Sequence, residues 1–184
     1  MGRKSMPKYK SQPNAQISGI RVISTVEALG VYKETGYKLL EENGIVKPAP
    51  EGWYSQQDYV NFFEALSSKV GPATLFIMGK TLGTTGKIPP NIDTFEKVLL
   101  SMDQFYKLHH RNVPSNEGWQ FEKTGPNTIK LISTGPYPDE FLRGVISGYA
   151  ERYKPEKGRA TVTIDPARPR GDTGGDSVTI LVNW

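Results

Sequence analysis

The sequence predicts an α+β domain: a helical N-terminal layer packed on a four-stranded antiparallel sheet, in the order helices and then β-β-α-β-β. Three observations lead there. Up to His110 the apolar side chains recur at helical spacing, with little strand-like alternation. Beyond His110 the pattern becomes short alternating runs separated by turn residues, and strands arranged in hairpins make an antiparallel sheet. The length of 184 residues suits one domain around one core.

Element by element, a helical pattern covers residues 24–42 through Val26, Leu29, Val31, Tyr32, Leu39 and Leu40, and Asn43-Gly44 stops it. The Pro- and Gly-rich stretch 46–53 cannot be regular. Ser55, with Asp58 three residues on, caps a helix through Leu66 that carries Tyr59, Phe62 and Phe63. Pro72 suits the first turn of the next helix, which carries Phe76 and Met78. After the loop 84–91, Asp93 or Thr94 opens a helix predicted over 93–112. Residues 118–134 read as two strands joined by the turn 124–127. Pro138, followed by Asp139 and Glu140, starts a helix bearing Phe141, Val145 and Tyr149. Residues 159–165 and 177–184 are the last two strands, and the Gly- and Pro-rich 166–176 is the turn between them.

Charge and composition narrow the function. There are 23 basic and 19 acidic side chains; Arg3, Lys4, Lys8 and Lys10 take four of the basic ones, leaving 19 against 19 over residues 11–184. A neutral body with a basic tail lacks the basic face that nucleic acid requires, so no nucleic-acid partner is expected. Residues 1–15 are expected to be a disordered basic tail, and 16–184 one ligand-binding-type domain. No apolar run reaches the roughly 20 residues of a membrane span, and no signal-peptide pattern is present, so a cytoplasmic place is expected. The absence of cysteine excludes disulfides, thiolate nucleophiles and cysteine-based metal sites. No serine sits in a nucleophile elbow, and the glycine-rich 170–177 lies between two strands with no helix to meet a phosphate. Asp172 and Asp176 there lack a third acidic partner for a hard metal. The expectation is a protein that is not an enzyme.

The helix 93–112 is the most informative stretch. Phe95, Val98, Leu99, Met102, Phe105, Tyr106 and His109 fall on one stripe at about 100° per residue, with His110 at its border. These are the two histidines of the chain. Adjacent residues on a regular helix diverge by about 100°, so both cannot serve one metal, and a satisfied boundary histidine competes with a ligating one.

The segment "MDQFYKLHHRN" before the first hairpin, the helix "FLRGVISGYAERY" and the ending "RGDTGGDSVTILVNW" together resemble the haem–nitric oxide binding (H-NOX) domains. They also resemble the vinyl-reductase-type ligand-binding domain and the TRAPP transport-complex subunits of related fold. The resemblance implies a sensor or signalling domain, often dimeric, that binds a small molecule, and it places a haem-ligating histidine on His109 or His110. Where it expects Tyr-x-Ser-x-Arg to hold the haem propionates, this sequence has Leu131, Ser133 and Gly135. Without the arginine the propionates lack a bidentate partner, so the expectation is a member without a cofactor, haem being the alternative. The expected ligand is an apolar small molecule in a hydrophobic pocket between helices and sheet, lined by Phe62, Phe76, Met102, Tyr106, His109, Leu131 and Phe141, with no metal ligand unless haem binds. A homodimer or a signalling partner is expected with it. The alternatives are a haem-based NO or O2 sensor, and an assembly protein that uses its apolar face to dimerise.

Overall fold

The structure is a computed structural model that describes residues 9–155, 158–167 and 175–184. Its elements follow the predicted order, with one addition. Three short strands, β1 (Gln16–Ser18), β2 (Trp53–Ser55) and β3 (His110–Arg111), form a small antiparallel sheet with β1 in the centre. In register, Ile17 stands between Tyr54 and His110. Two- and three-residue strands carry too few side chains to show a period of two, so local pattern could not reveal them.

The helical layer consists of α1 (Gly19–Glu27), α2 (Lys33–Glu42), α3 (Gln56–Val70) and α4 (Ala73–Thr85). The single helix expected over 24–42 is therefore two helices, and the first begins earlier. Gly30, at φ +56°, turns the chain through a short 3-10 segment, Gly30–Tyr32, between them. That left-handed conformation costs glycine little and an L side chain more. Ser55 caps α3 as predicted, its Oγ accepting from the Asp58 amide at 3.2 Å.

The C-terminal half contains α5 (Phe95–Leu100), α6 (Met102–His109), the hairpin β4 (Trp119–Gly125) and β5 (Thr128–Ser133), then α7 (Asp139–Tyr153), β6 (Thr161–Ile164) and β7 (Val178–Asn183). The four strands form an antiparallel sheet in the order β4-β5-β7-β6. Burial alternates along β5, so Ile129, Leu131 and Ser133 point into the core beside Ile180 and Val182 of β7. The predicted helix over 93–112 breaks at Ser101, where φ −91° and ψ 0° interrupt the helix and the hydroxyl donates to the Lys97 carbonyl at 2.8 Å. It ends at His109, because His110 turns extended (φ −129°, ψ 142°) to pair with β1.

α4 and α7 join the two halves. Gly79 and Gly83 on α4 face Gly144 and Gly148 on α7 so closely that a Cβ on any of the four would overlap the backbone of the facing helix. The disorder expected over residues 1–15 does not hold for residues 9–15. Tyr9 and Ala15 are buried, the Ser11 backbone amide donates to Gln57 Oε1 at 2.8 Å, and the Ser11 hydroxyl donates to Gln56 Oε1. Residues 9–15 thus belong to the folded body, while the rest of the tail and most of the glycine-rich turn, Asp172 included, lie outside the described residues.

Candidate functional site

Two adjoining spaces lie where α1, α4, α6 and α7 meet. The inner one is a small apolar cavity of about 60 Å³, bounded by Ile17, Tyr59, Met102, Tyr106, His110 and Phe141 among others. The outer one is a cleft of about 790 Å³ between α1, the end of α4 with its following loop, α6 and α7. Arg21, Leu82, Phe105 and Tyr149 line both, so these four side chains form the boundary between them. Ile20, Ile23, Ile88 and Leu108 make the cleft wall largely apolar. The inner space is large enough for a few water molecules at most, whereas the cleft falls within the roughly 300–1,000 Å³ range of ligand sites.

The two histidines occupy different environments. His110 is buried at 8% exposure, stacked on the Tyr106 ring at 3.8 Å between centroids. Its Nδ1 lies 2.8 Å from the Tyr106 carbonyl, which can only accept, so Nδ1 carries the proton. Nε2 then accepts from the Tyr137 hydroxyl at 2.6 Å. The Gln56 amide nitrogen reaches Tyr137 Oη at 3.3 Å, Tyr106 Oη at 3.0 Å and Glu117 Oε1 at 3.0 Å, and the Tyr106 hydroxyl donates to the same carboxylate at 2.5 Å. Burial, together with Tyr137 and Glu117, raises the Tyr106 pKa far above the usual phenol range, which keeps it a donor. Desolvation brings the His110 pKa down to about 3, with the Arg21 charge adding to it. Both nitrogens of His110 are engaged and its imidazole is neutral.

His109, the last residue of α6, is half-buried on the wall of the outer cleft. Its Nδ1 lies 2.8 Å from Ser18 Oγ, and its Nε2 has no hydrogen bond among the described residues. Burial first and the Arg21 charge second lower its pKa to about 4, so it too is neutral at pH 7. The stripe prediction put His109 inside and His110 at the border; the structure reverses them, because the pairing of β3 with β1 swings His110 inward.

Of the other predicted pocket residues, Met102, Tyr106 and Phe141 border the inner cavity. Three are not brought there. Phe62 is fully buried in the aromatic cluster with Tyr59 and Phe63. Phe76 lies on a separate groove under the Arg143 guanidinium, 4.2 Å from the ring centroid. Leu131 fills the sheet core opposite Phe121 and Ile180. Of the motif positions, the Ser133 hydroxyl is a buried polar atom with no hydrogen-bond partner among the described residues. Sequence reasoning missed Arg21, Gln56, Glu117 and Tyr137. A single cation in the apolar run "GIRVI" was the available signal for Arg21; the others are gathered by contacts distant in sequence.

Among the described residues, no group of three or more His, Cys, Asp or Glu could hold a metal, and no helix is long and apolar enough to cross a membrane. No family model and no curated protein matches the sequence. Solved structures do match by shape. An H-NOX protein from S. oneidensis in the Fe(II)NO ligation state superposes with a TM-score of 0.63 at 15% identity, over 91% of this chain and 98% of the other. The IWP-051-bound H-NOX from Shewanella woodyi in the Fe(II)CO ligation state gives 0.57 at 21% identity, over 89% and 93%. A mutant of the T. Tengcongensis H-NOX gives 0.61 at 17% identity, over 91% and 97%. The chain has the H-NOX fold, and the α+β prediction holds. The expectation of a domain without a cofactor is corrected by the same finding: the solved proteins that share this fold are described by their iron ligation states and haem distortion, which points to haem.

Proposed function

We propose that this domain is a non-enzymatic small-molecule sensor that seats its ligand in the outer cleft, and that haem is the group the cleft takes. The supporting observation is the donor set: a neutral imidazole, His109, and a guanidinium, Arg21, on the wall of an apolar cleft of about 790 Å³. A metal-ligating histidine usually donates its other ring N–H to an oxygen, and Ser18 Oγ at 2.8 Å can accept that proton from His109 Nδ1 and leave Nε2 for iron. His110 does not fit the role, since the Tyr106 carbonyl and the Tyr137 hydroxyl occupy both its nitrogens. Haem, when bound, supplies an iron that takes a small diatomic gas. The chain's own part is to hold His109 neutral through burial, to exclude water with Leu82, Phe105 and Ile88, and to keep Tyr106 and His110 packed against each other behind the cleft.

Titration with hemin, followed by visible absorption, tests this reading. The wild type is expected to take up one equivalent and develop an intense band, His109→Ala to lose that band, and His110→Gln to keep it. Absence of stoichiometric uptake by the wild type, or a band unchanged in His109→Ala, would overturn the assignment.

A further inference from the structure

We infer that the ligand of this cleft bears a carboxylate and that Arg21 is its anchor. The inference rests on the reading of the cleft as the ligand site, and it is carried by the surroundings of one side chain. Arg21 is half-buried on α1, at the boundary between the inner cavity and the outer cleft. Among the described residues it makes no ion pair and no side-chain hydrogen bond. Ion pairs such as Lys80 with Glu151 and Arg143 with Glu140 do not involve it. One acid does line the cleft, Glu27, but its carboxylate already accepts from the Tyr37 hydroxyl at 2.9 Å and lies 3.7 Å from Lys33 Nζ.

A guanidinium brings five N–H donors in a planar fork, and placing it half out of water without an anion is costly. Its charge is felt at the surrounding groups: it helps to lower both histidines. A cationic ligand would be repelled here, and a neutral apolar one would leave the donors unmet. A carboxylate matches the fork bidentately, while an apolar body fits against Ile20, Ile23 and Leu108. Lys87 on the same cleft adds a second positive charge. This chemistry has two sources, the propionate of a haem and the head of a fatty acid.

Paired probes separate the sources. Hemin is compared with its dimethyl ester, and dodecanoate with dodecanol, each binding to the full chain measured by calorimetry in wild type, Arg21→Gln and Arg21→Lys. At least one acid is expected to bind the wild type about tenfold or more tightly than its neutral analogue, the scale of a charge-assisted hydrogen bond. Arg21→Gln should abolish that preference without weakening the neutral probe, and Arg21→Lys should keep part of it. Equal binding of acid and neutral probe to the wild type would overturn the inference, as would equal weakening of both by Arg21→Gln. Hemin and its ester binding equally, both through His109, with dodecanoate no better than dodecanol, would leave the haem reading standing and remove the Arg21 anchor. Arg21-dependent binding of dodecanoate without hemin uptake would do the reverse. Should Arg21→Gln fail to fold, the wild-type comparison and Arg21→Lys decide.

Discussion

At the scale of single residues, a pH dependence follows from the two imidazoles. His110 has its pKa lowered to about 3 by burial, against about 6.5 in an unfolded chain. The unfolded chain therefore takes up the proton first. The stabilising contribution is complete above about pH 6.5, is lost as pH falls through the window to about 3, and changes no further below it. One pKa unit corresponds to about 1.36 kcal/mol, so roughly 2 kcal/mol from this residue is lost by pH 5. His109, lowered to about 4, acts in the same direction, more weakly because solvent reaches it. Urea unfolding at pH 7, 6 and 5 should show a steeper fall in stability for wild type than for His110→Gln, and parallel curves would refute the account. The sequence identified His109 and His110 as the residues to watch. It could not tell which faces inward, because the partner that sets their directions, Ile17, lies at the other end of the N-terminal half. Arg21 is harder still to find, since a cation in an amphipathic helix normally marks the solvent side.

At the scale of elements, the sequence was most legible where structure is local. The Ser55 cap, the tight β4–β5 turn and the start of α7 at Asp139 follow from residue types within one turn of the chain. The break at Ser101 escaped because its neighbours Phe95, Val98, Leu99 and Met102 keep their stripe across it, and all four are buried. The glycines of α4 and α7 were also silent as pattern, yet they set how near the helical layer approaches the C-terminal half. In Gly83→Ala the new methyl would meet the Val145 carbonyl, backbone that cannot rotate away. The helices must part, at a cost of about 1–3 kcal/mol for overpacking. Because Leu82 beside it and Tyr149 on the facing helix border both cavity and cleft, the same change should weaken ligand binding. Calorimetric melting and hemin titration of Gly83→Ala test both effects, and an unshifted melting temperature would mean that the helices are less tightly apposed than described.

At the scale of the whole molecule, the cleft is walled by elements from both halves: α1 and α4 from the helical layer, α6 and α7 from the half that contains the sheet. A ligand there acts as a bridge, and a group that binds only the folded state adds stability by mass action. At a free concentration of a hundred times its dissociation constant the gain is about 2.7 kcal/mol. For a domain of this size each kilocalorie raises the melting temperature by roughly 2–4 °C, so a rise on the order of 5–10 °C is expected with hemin in the wild type and almost none in His109→Ala. The location of the gain is as informative as its size. Hydrogen exchange should slow in α1 and in the loop after α4, which line the cleft, whereas the middle of α3, with Tyr59, Phe62 and Phe63 fully buried, is already protected and should change little. Slowing confined to α6 would indicate a ligand that contacts His109 without spanning the cleft. That outcome would remove the physical link between binding and any movement of α1 against α6, and with it the means by which this fold would report its ligand.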